Sequence, residues 1–192
     1  MNWNDHSRLP DGGHSFLSPS SYHWLNYEED KLVRVYKNHL AAAQGTMLHD
    51  LAAKHILLKL KMPNNRITFN KYVNDAIGYR MTPEQKLYYS PYCWGTADAI
   101  CFNEKKGFLR IHDLKTGVTP ASFHQLEIYA ALFCLEYGKE LNFNPGDIEI
   151  ELRIYQNDDI LIGNPEADVI VPIMDWIKVA SKILEKIDSE GI

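Results

Sequence analysis

The chain has 192 residues, ordinary apolar and charged fractions and a formal net charge of −5, a length that suits one domain with a sizeable core. No apolar run is long enough to span a bilayer, and residues 1–13 are polar without a signal-peptide core, so a cytoplasmic protein with no membrane partner is expected. Cys93, Cys101 and Cys134 are odd in number and contain no C-x-x-C pair, which argues against a zinc ribbon or a disulfide framework and leaves reduced, partly buried thiols.

Residues 1–16 read as a flexible leader, and residues 17–192 as the domain. Ser18-Pro19 opens a short helix over residues 19–27, with Ser18 as cap and Pro19 at the first helical position. A second helix is predicted over residues 41–61, where Leu48, Leu51, Ala52, His55 and Leu58 recur at helical spacing and Pro63-Asn64-Asn65 ends it. Residues 69–79 suggest another helix. Three strands follow, over residues 84–89, 94–102 and 108–115, the last two joined by a polar connection over residues 103–107. Thr119-Pro120 opens a helix to Tyr137, closed by Gly138. A strand over residues 148–155 and an amphipathic helix over residues 170–187 complete the chain. Three strands, a helix, a strand and a helix imply an α/β (α+β) domain with a mixed central sheet flanked by helices.

Within this order, Asp98 and Asp113 lie near the ends of two short apolar runs, and Lys115 follows Asp113 by two residues. Isolated acid-x-Lys triplets carry little information; Glu29-x-Lys31, Glu84-x-Lys86 and Glu104-x-Lys106 are further examples. What distinguishes Asp113-x-Lys115 is its place at a strand end beside a second Asp-bearing strand. Two carboxylates and a neighbouring backbone carbonyl are hard oxygen ligands for Mg²⁺ or Mn²⁺. A lysine on the same face can orient water and stabilise developing charge, the equipment of metal-assisted phosphodiester hydrolysis. A five-residue loop over 103–107 misaligns the two aspartates by one residue, so convergence calls for a bulge or shift at Gly107. The plainer alternative is a pair of solvent-facing or lysine-paired acids. His49 sits on the second helix above Ala52, Ala53 and Ile56, either as a ligand or as an interior histidine, and His55 is read as structural. Gln125 and Tyr129 form an i, i+4 pair, suited to nucleic-acid contact or to the edge of the core. Net acidity counts against a nucleic-acid ligand, although Lys54, Lys59, Lys61, Arg66, Lys71 and Arg80 gather early in the chain and allow a local basic face.

Taken in order, Ser18-Pro19-Ser20-Ser21, Gly45-Thr46-x-x-His49, Gly95-Thr96-Ala97-Asp98, Asp113-Leu114-Lys115-Thr116-Gly117 and Gln125-x-x-x-Tyr129 resemble the RecB-like branch of the PD-(D/E)xK nuclease superfamily. The resemblance covers roughly residues 17–156. It implies a restriction-endonuclease-like core and a Mg²⁺- or Mn²⁺-dependent deoxyribonuclease, an exonuclease by preference, that hydrolyses phosphodiester bonds with metal-activated water. Catalysis would fall to Asp98, Asp113 and Lys115. The metal would be held by His49, Asp98, Asp113 and the carbonyl of Leu114, with Gln125 and Tyr129 contacting DNA. Some relatives carry an iron–sulfur cluster on four cysteines. Here Tyr27-Glu28 stands at the early Cys-Pro position and no cysteine follows Cys134, so no cluster is expected. Related exonucleases include ring-forming homo-oligomers. A recombination or helicase partner would be a separate protein, because the chain has no Gly-x-x-x-x-Gly-Lys segment. Phage- and prophage-encoded members are often small stand-alone chains, which would place this one in a host cytoplasm. The alternative is a catalytically inactive nuclease-fold module that binds DNA or protein.

Overall fold

A computed structural model describes residues 15–190. The expected leader lies outside the described residues except for Ser15 and Phe16. The chain divides into two compact units, Met1–Gln44 and Gly45–Ile192, with the boundary inside helix α1 (Glu29–Leu57). In the first unit a 3-10 helix spans Pro19–Asn26 and starts on the proline, whose missing N–H costs nothing there. The Ser18 hydroxyl does not cap it; that oxygen lies 2.8 Å from the Ser20 hydroxyl, and Trp24 Nε1 donates to the Ser18 carbonyl at 3.0 Å. The Phe16 ring meets Tyr36 edge-on, with centroids 4.9 Å apart.

Helix α1 begins twelve residues before the expected start at residue 41. None of residues 29–44 is buried. That stretch therefore has no apolar stripe for periodicity to detect, and Glu29 and Asp30 favour its start by facing the positive helix end. The other end comes earlier than the expected residue 61. Lys59 adopts φ 54°, Leu60 N donates to His55 O at 2.9 Å and Lys59 N to Ile56 O at 3.1 Å. This is a Schellman termination with lysine where glycine is usual. His55 Nδ1 lies 3.0 Å from Leu60 O, in keeping with its structural reading.

The second unit is a mixed α/β assembly built on one five-stranded sheet, ordered β1 (Thr82–Ser90), β2 (Cys93–Asn103), β3 (Phe108–Leu114), β4 (Glu149–Gln156) and β5 (Asp159–Gly163). Neighbours are antiparallel except β3 and β4, which run parallel and are joined through helix α3 (His124–Tyr137). Ile100, Leu109, Ile111, Leu152 and Ile154 form a core with α3 and helix α4 (Ala167–Glu190). Ala99, Leu114 and Tyr155 pack with Ala52 and Ile56 of α1 and with Tyr72, Val73 and Ala76 of helix α2 (Thr68–Gly78). Helix α3 buries Leu126 and every residue from Ala130 to Cys134, as befits a helix covered on several sides. Among the described residues no helix is long and apolar enough to cross a membrane.

Helix α3 starts at His124 rather than at Thr119. The Gln156 side chain explains the delay, because its Nε2 donates to the carbonyls of Gly117 (2.6 Å) and Thr119 (2.9 Å) and holds that segment as a loop. Strand β5 was not anticipated. It follows a two-residue turn in which Asn157 and Asp158 both take positive φ (51° and 59°), the geometry that suits a hairpin's right-handed twist. Asp158 also reaches α2: its Oδ1 accepts from Thr68 N at 2.8 Å and from the Thr68 hydroxyl at 3.1 Å. Asp158→Ala removes this cap and places a less tolerant residue at positive φ. It is expected to cost about 1–2 kcal/mol, read as a lower midpoint in urea unfolding.

Candidate metal centre

The hairpin that carries both aspartates closes more simply than expected. Asn103 belongs to β2 and pairs with Phe108, leaving Glu104, Lys105, Lys106 and Gly107 as a four-residue loop. Gly107 takes φ 57°, which supplies the left-handed turn without a bulge. The ladder runs Asn103↔Phe108 to Ala99↔His112, and the next residues outward are Asp98 and Asp113. No register shift is needed; the expectation of one came from counting Asn103 into the loop.

The side chains arrive from four elements: His49 from α1, Asp98 from β2, Asp113 and Lys115 from the end of β3, and Gln125 and Tyr129 from α3. His49 comes from the second half of α1, which approaches closely because Gly45 has no side chain: a Cβ there would sit 2.8 Å from Thr116 Oγ1. His49 Nδ1 lies 3.2 Å from Asp98 Oδ2, and the same oxygen accepts from Leu114 N at 2.8 Å. The Asp98 carboxylate thus ties β2 to the end of β3. Lys115 Nζ donates to Asp113 Oδ1 at 3.0 Å and to Gln125 Oε1 at 2.8 Å. Tyr129 donates its hydroxyl to Thr96 O at 2.7 Å, and its ring fills the space where a Cβ on Gly95 would meet Tyr129 Cε1 at 2.8 Å. Four of the five sequence segments therefore touch one another. The fifth, Ser18 to Ser21, belongs to the other unit.

Glu84 escaped the sequence reading, where it counted only as one more acid-x-Lys triplet. Ligand atoms of His49, Glu84 and Asp98 all lie within 4.8 Å of one another. The β1–β2 ladder pairs Pro83 with Ala99 and Gln85 with Ala97, which sets Glu84 opposite Asp98. Glu84 takes φ 50° within its strand, a conformation unfavourable for a residue with a side chain and one that concentrates at functional sites. The only usable signal was cross-strand register, which is not written in β1 itself. Lys86, its triplet partner, is exposed and takes no part. Asp113 is not a member of the trio.

Burial leads the electrostatics of the two shifted carboxyls, and the Asp98 charge adds to it. Burial, then the Asp98 charge, pushes the Asp113 carboxyl above its ordinary range, and Lys115 offsets this only in part. Burial followed by Asp98 does the same to Glu84. His49 is raised by its hydrogen bond to Asp98, against the opposing effect of burial. Asp113 Oδ2 is buried and has no hydrogen-bond partner. A buried carboxylate oxygen without a donor is costly, and a cation is a natural partner for it. The crowded acids, an imidazole and an orphaned carboxylate oxygen form a group able to hold a metal ion.

The neighbouring His112 stands apart. It is fully buried between the rings of Tyr79 and Tyr155, and burial holds its pKa well below the usual histidine value. Of the early basic residues, Lys54, Lys59, Lys61, Arg66 and Arg80 are exposed, while Lys71 donates to the Asp158 carbonyl at 2.6 Å. The three cysteines are free thiols, and burial raises that of Cys134 to about 12. No family model, curated protein or solved structure matches the chain.

Proposed function

We propose that the chain is a Mg²⁺- or Mn²⁺-dependent deoxyribonuclease, an exonuclease by preference, with a PD-(D/E)xK core of the RecB-like kind. The observation that carries this reading is the buried, unpartnered Asp113 Oδ2 on a residue whose other oxygen holds Lys115, at the strand end beside Asp98 and His49. His49, Asp98, Asp113 and the Leu114 carbonyl would hold the ion, and Glu84 joins them as a further carboxylate close to His49 and Asp98. A bound divalent cation supplies positive charge that offsets a phosphate and lowers the pKa of water.

The chain's own groups account for the rest. Asp98 is oriented by the Leu114 amide, so its carboxylate is fixed before any ligand arrives. His49 is held beside Asp98 through Nδ1. The Lys115 side chain is 30% exposed, open enough to meet a phosphodiester while its ammonium stays anchored. Its charge stabilises the charge that develops on the phosphate oxygens as water attacks phosphorus and the ester oxygen leaves.

Purified protein incubated with end-labelled linear and closed circular DNA, single- and double-stranded, in Mg²⁺, Mn²⁺ or EDTA tests the proposal. Loss of linear DNA alone, with metal and not with EDTA, is the expected result. Cleavage of circles as well would make the enzyme an endonuclease. DNA that is bound but never cut would overturn the nuclease reading in favour of a binding module.

A further inference from the structure

We infer that Gln125 and Tyr129 are positioning residues that set Lys115 and strand β2 for the reaction. This rests on the nuclease reading. The Lys115 ammonium carries three N–H bonds. Two are directed, one to Asp113 Oδ1 at 3.0 Å and one to Gln125 Oε1 at 2.8 Å. Fixing two corners of a tetrahedral group fixes the third, so the remaining N–H has one direction in which to meet substrate or water. Gln125 suits this task because its amide oxygen is a good acceptor without charge. It orders the ammonium without cancelling the positive charge that the reaction uses.

Tyr129 lies one turn further along α3, on the same face as Gln125. Its hydroxyl proton is already given to Thr96 O at 2.7 Å, two residues before Asp98. Its ring rests on Gly95, where even a methyl group would collide. Gln125 Oε1 and the Tyr129 hydroxyl are thus both engaged within the protein. Together they couple α3 to the two strands that bear Asp98 and Asp113. Misplacing such a supporting group lowers the rate of the chemical step and leaves binding intact.

Gln125→Met keeps the length of the side chain and removes the acceptor; Gln125→Glu restores an acceptor. Gln125 is exposed, so neither change is expected to alter the thermal midpoint. Single-turnover cleavage is measured with Mg²⁺, and DNA affinity separately with Ca²⁺ in its place. The expected result is a loss of about 10–100-fold in the maximal rate of Gln125→Met. DNA affinity stays unchanged, part of the rate returns in Gln125→Glu, and Tyr129→Phe also lowers the rate without weakening binding. Weakened DNA affinity with an unchanged maximal rate, or a Met variant as fast as wild type, would overturn the inference while leaving the nuclease reading in place. A wild-type protein that cuts no DNA overturns both.

Discussion

Lys115→Ala is expected to slow phosphodiester cleavage by about 10²–10³-fold, the loss typical of removing one group that stabilises charge in a transition state. The ammonium is the cation nearest the Asp113 carboxylate, and it reaches the open face of the site while anchored to Asp113 and Gln125. Its removal takes away both the charge and the fixed N–H. It also leaves the buried Asp113 without its counter-charge, so the carboxyl moves further above its ordinary range and gives up its proton less readily. The sheet does not rest on this side chain, because the core on either face is made of the strand residues before it. An unchanged circular dichroism spectrum should accompany the lost activity. Lys115→Arg is not a conservative rescue, since a planar fork cannot reproduce the tetrahedral arrangement of donors. A variant that keeps its rate would remove Lys115 from the reaction.

Asp113→Asn should separate stability from function. Burial and the Asp98 charge raise the folded-state pKa of Asp113 above its unfolded value. The folded protein then holds this proton more tightly than the unfolded chain does. Ionised Asp113 therefore costs stability at every pH above its raised folded pKa, and the cost fades as pH falls through that value toward the ordinary carboxylate range. In EDTA at neutral pH, Asp113→Asn is expected to melt higher than wild type, and the difference should close on acidification. Metal should reverse the order. Wild type gains about 2.7 kcal/mol at a free ion concentration one hundred times its Kd, while the variant, lacking the carboxylate, gains far less. Thermal melts across pH, with EDTA and with Mn²⁺, check both halves. A variant that melts lower in EDTA, or that responds to Mn²⁺ as wild type does, contradicts this account of the site.

Most of the second unit is legible in the residues because each element buries a face at its own period. Strands β2, β3 and β4 carry apolar residues bounded by turn signals, and α2 and α4 carry apolar stripes. What escaped had no such face. The first half of α1 buries nothing, and β5 has no fully buried residue. Lys59 and Arg80 stand just past the ends of α1 and α2, both at positive φ, where the expected marker is glycine. The candidate site divides along the same line. Asp113 and Lys115 announce themselves by standing where an apolar strand stops, and Asp98 by being the one acid inside the neighbouring apolar strand. Glu84 does not, because its role depends on which residue of β2 faces it across the ladder, a long-range fact. The loop of the β2–β3 hairpin shows how fine the margin is: assigning Asn103 to the strand instead of the turn brings the two aspartates level.

The most direct measurement is a time course of end-labelled linear DNA with wild type and Lys115→Ala side by side, in Mn²⁺ and in EDTA. The expected result is degradation by wild type in Mn²⁺ alone, with the variant slower by about 10²–10³-fold. Degradation that persists in EDTA, or that proceeds equally in the variant, would contradict a metal-dependent reaction at this site.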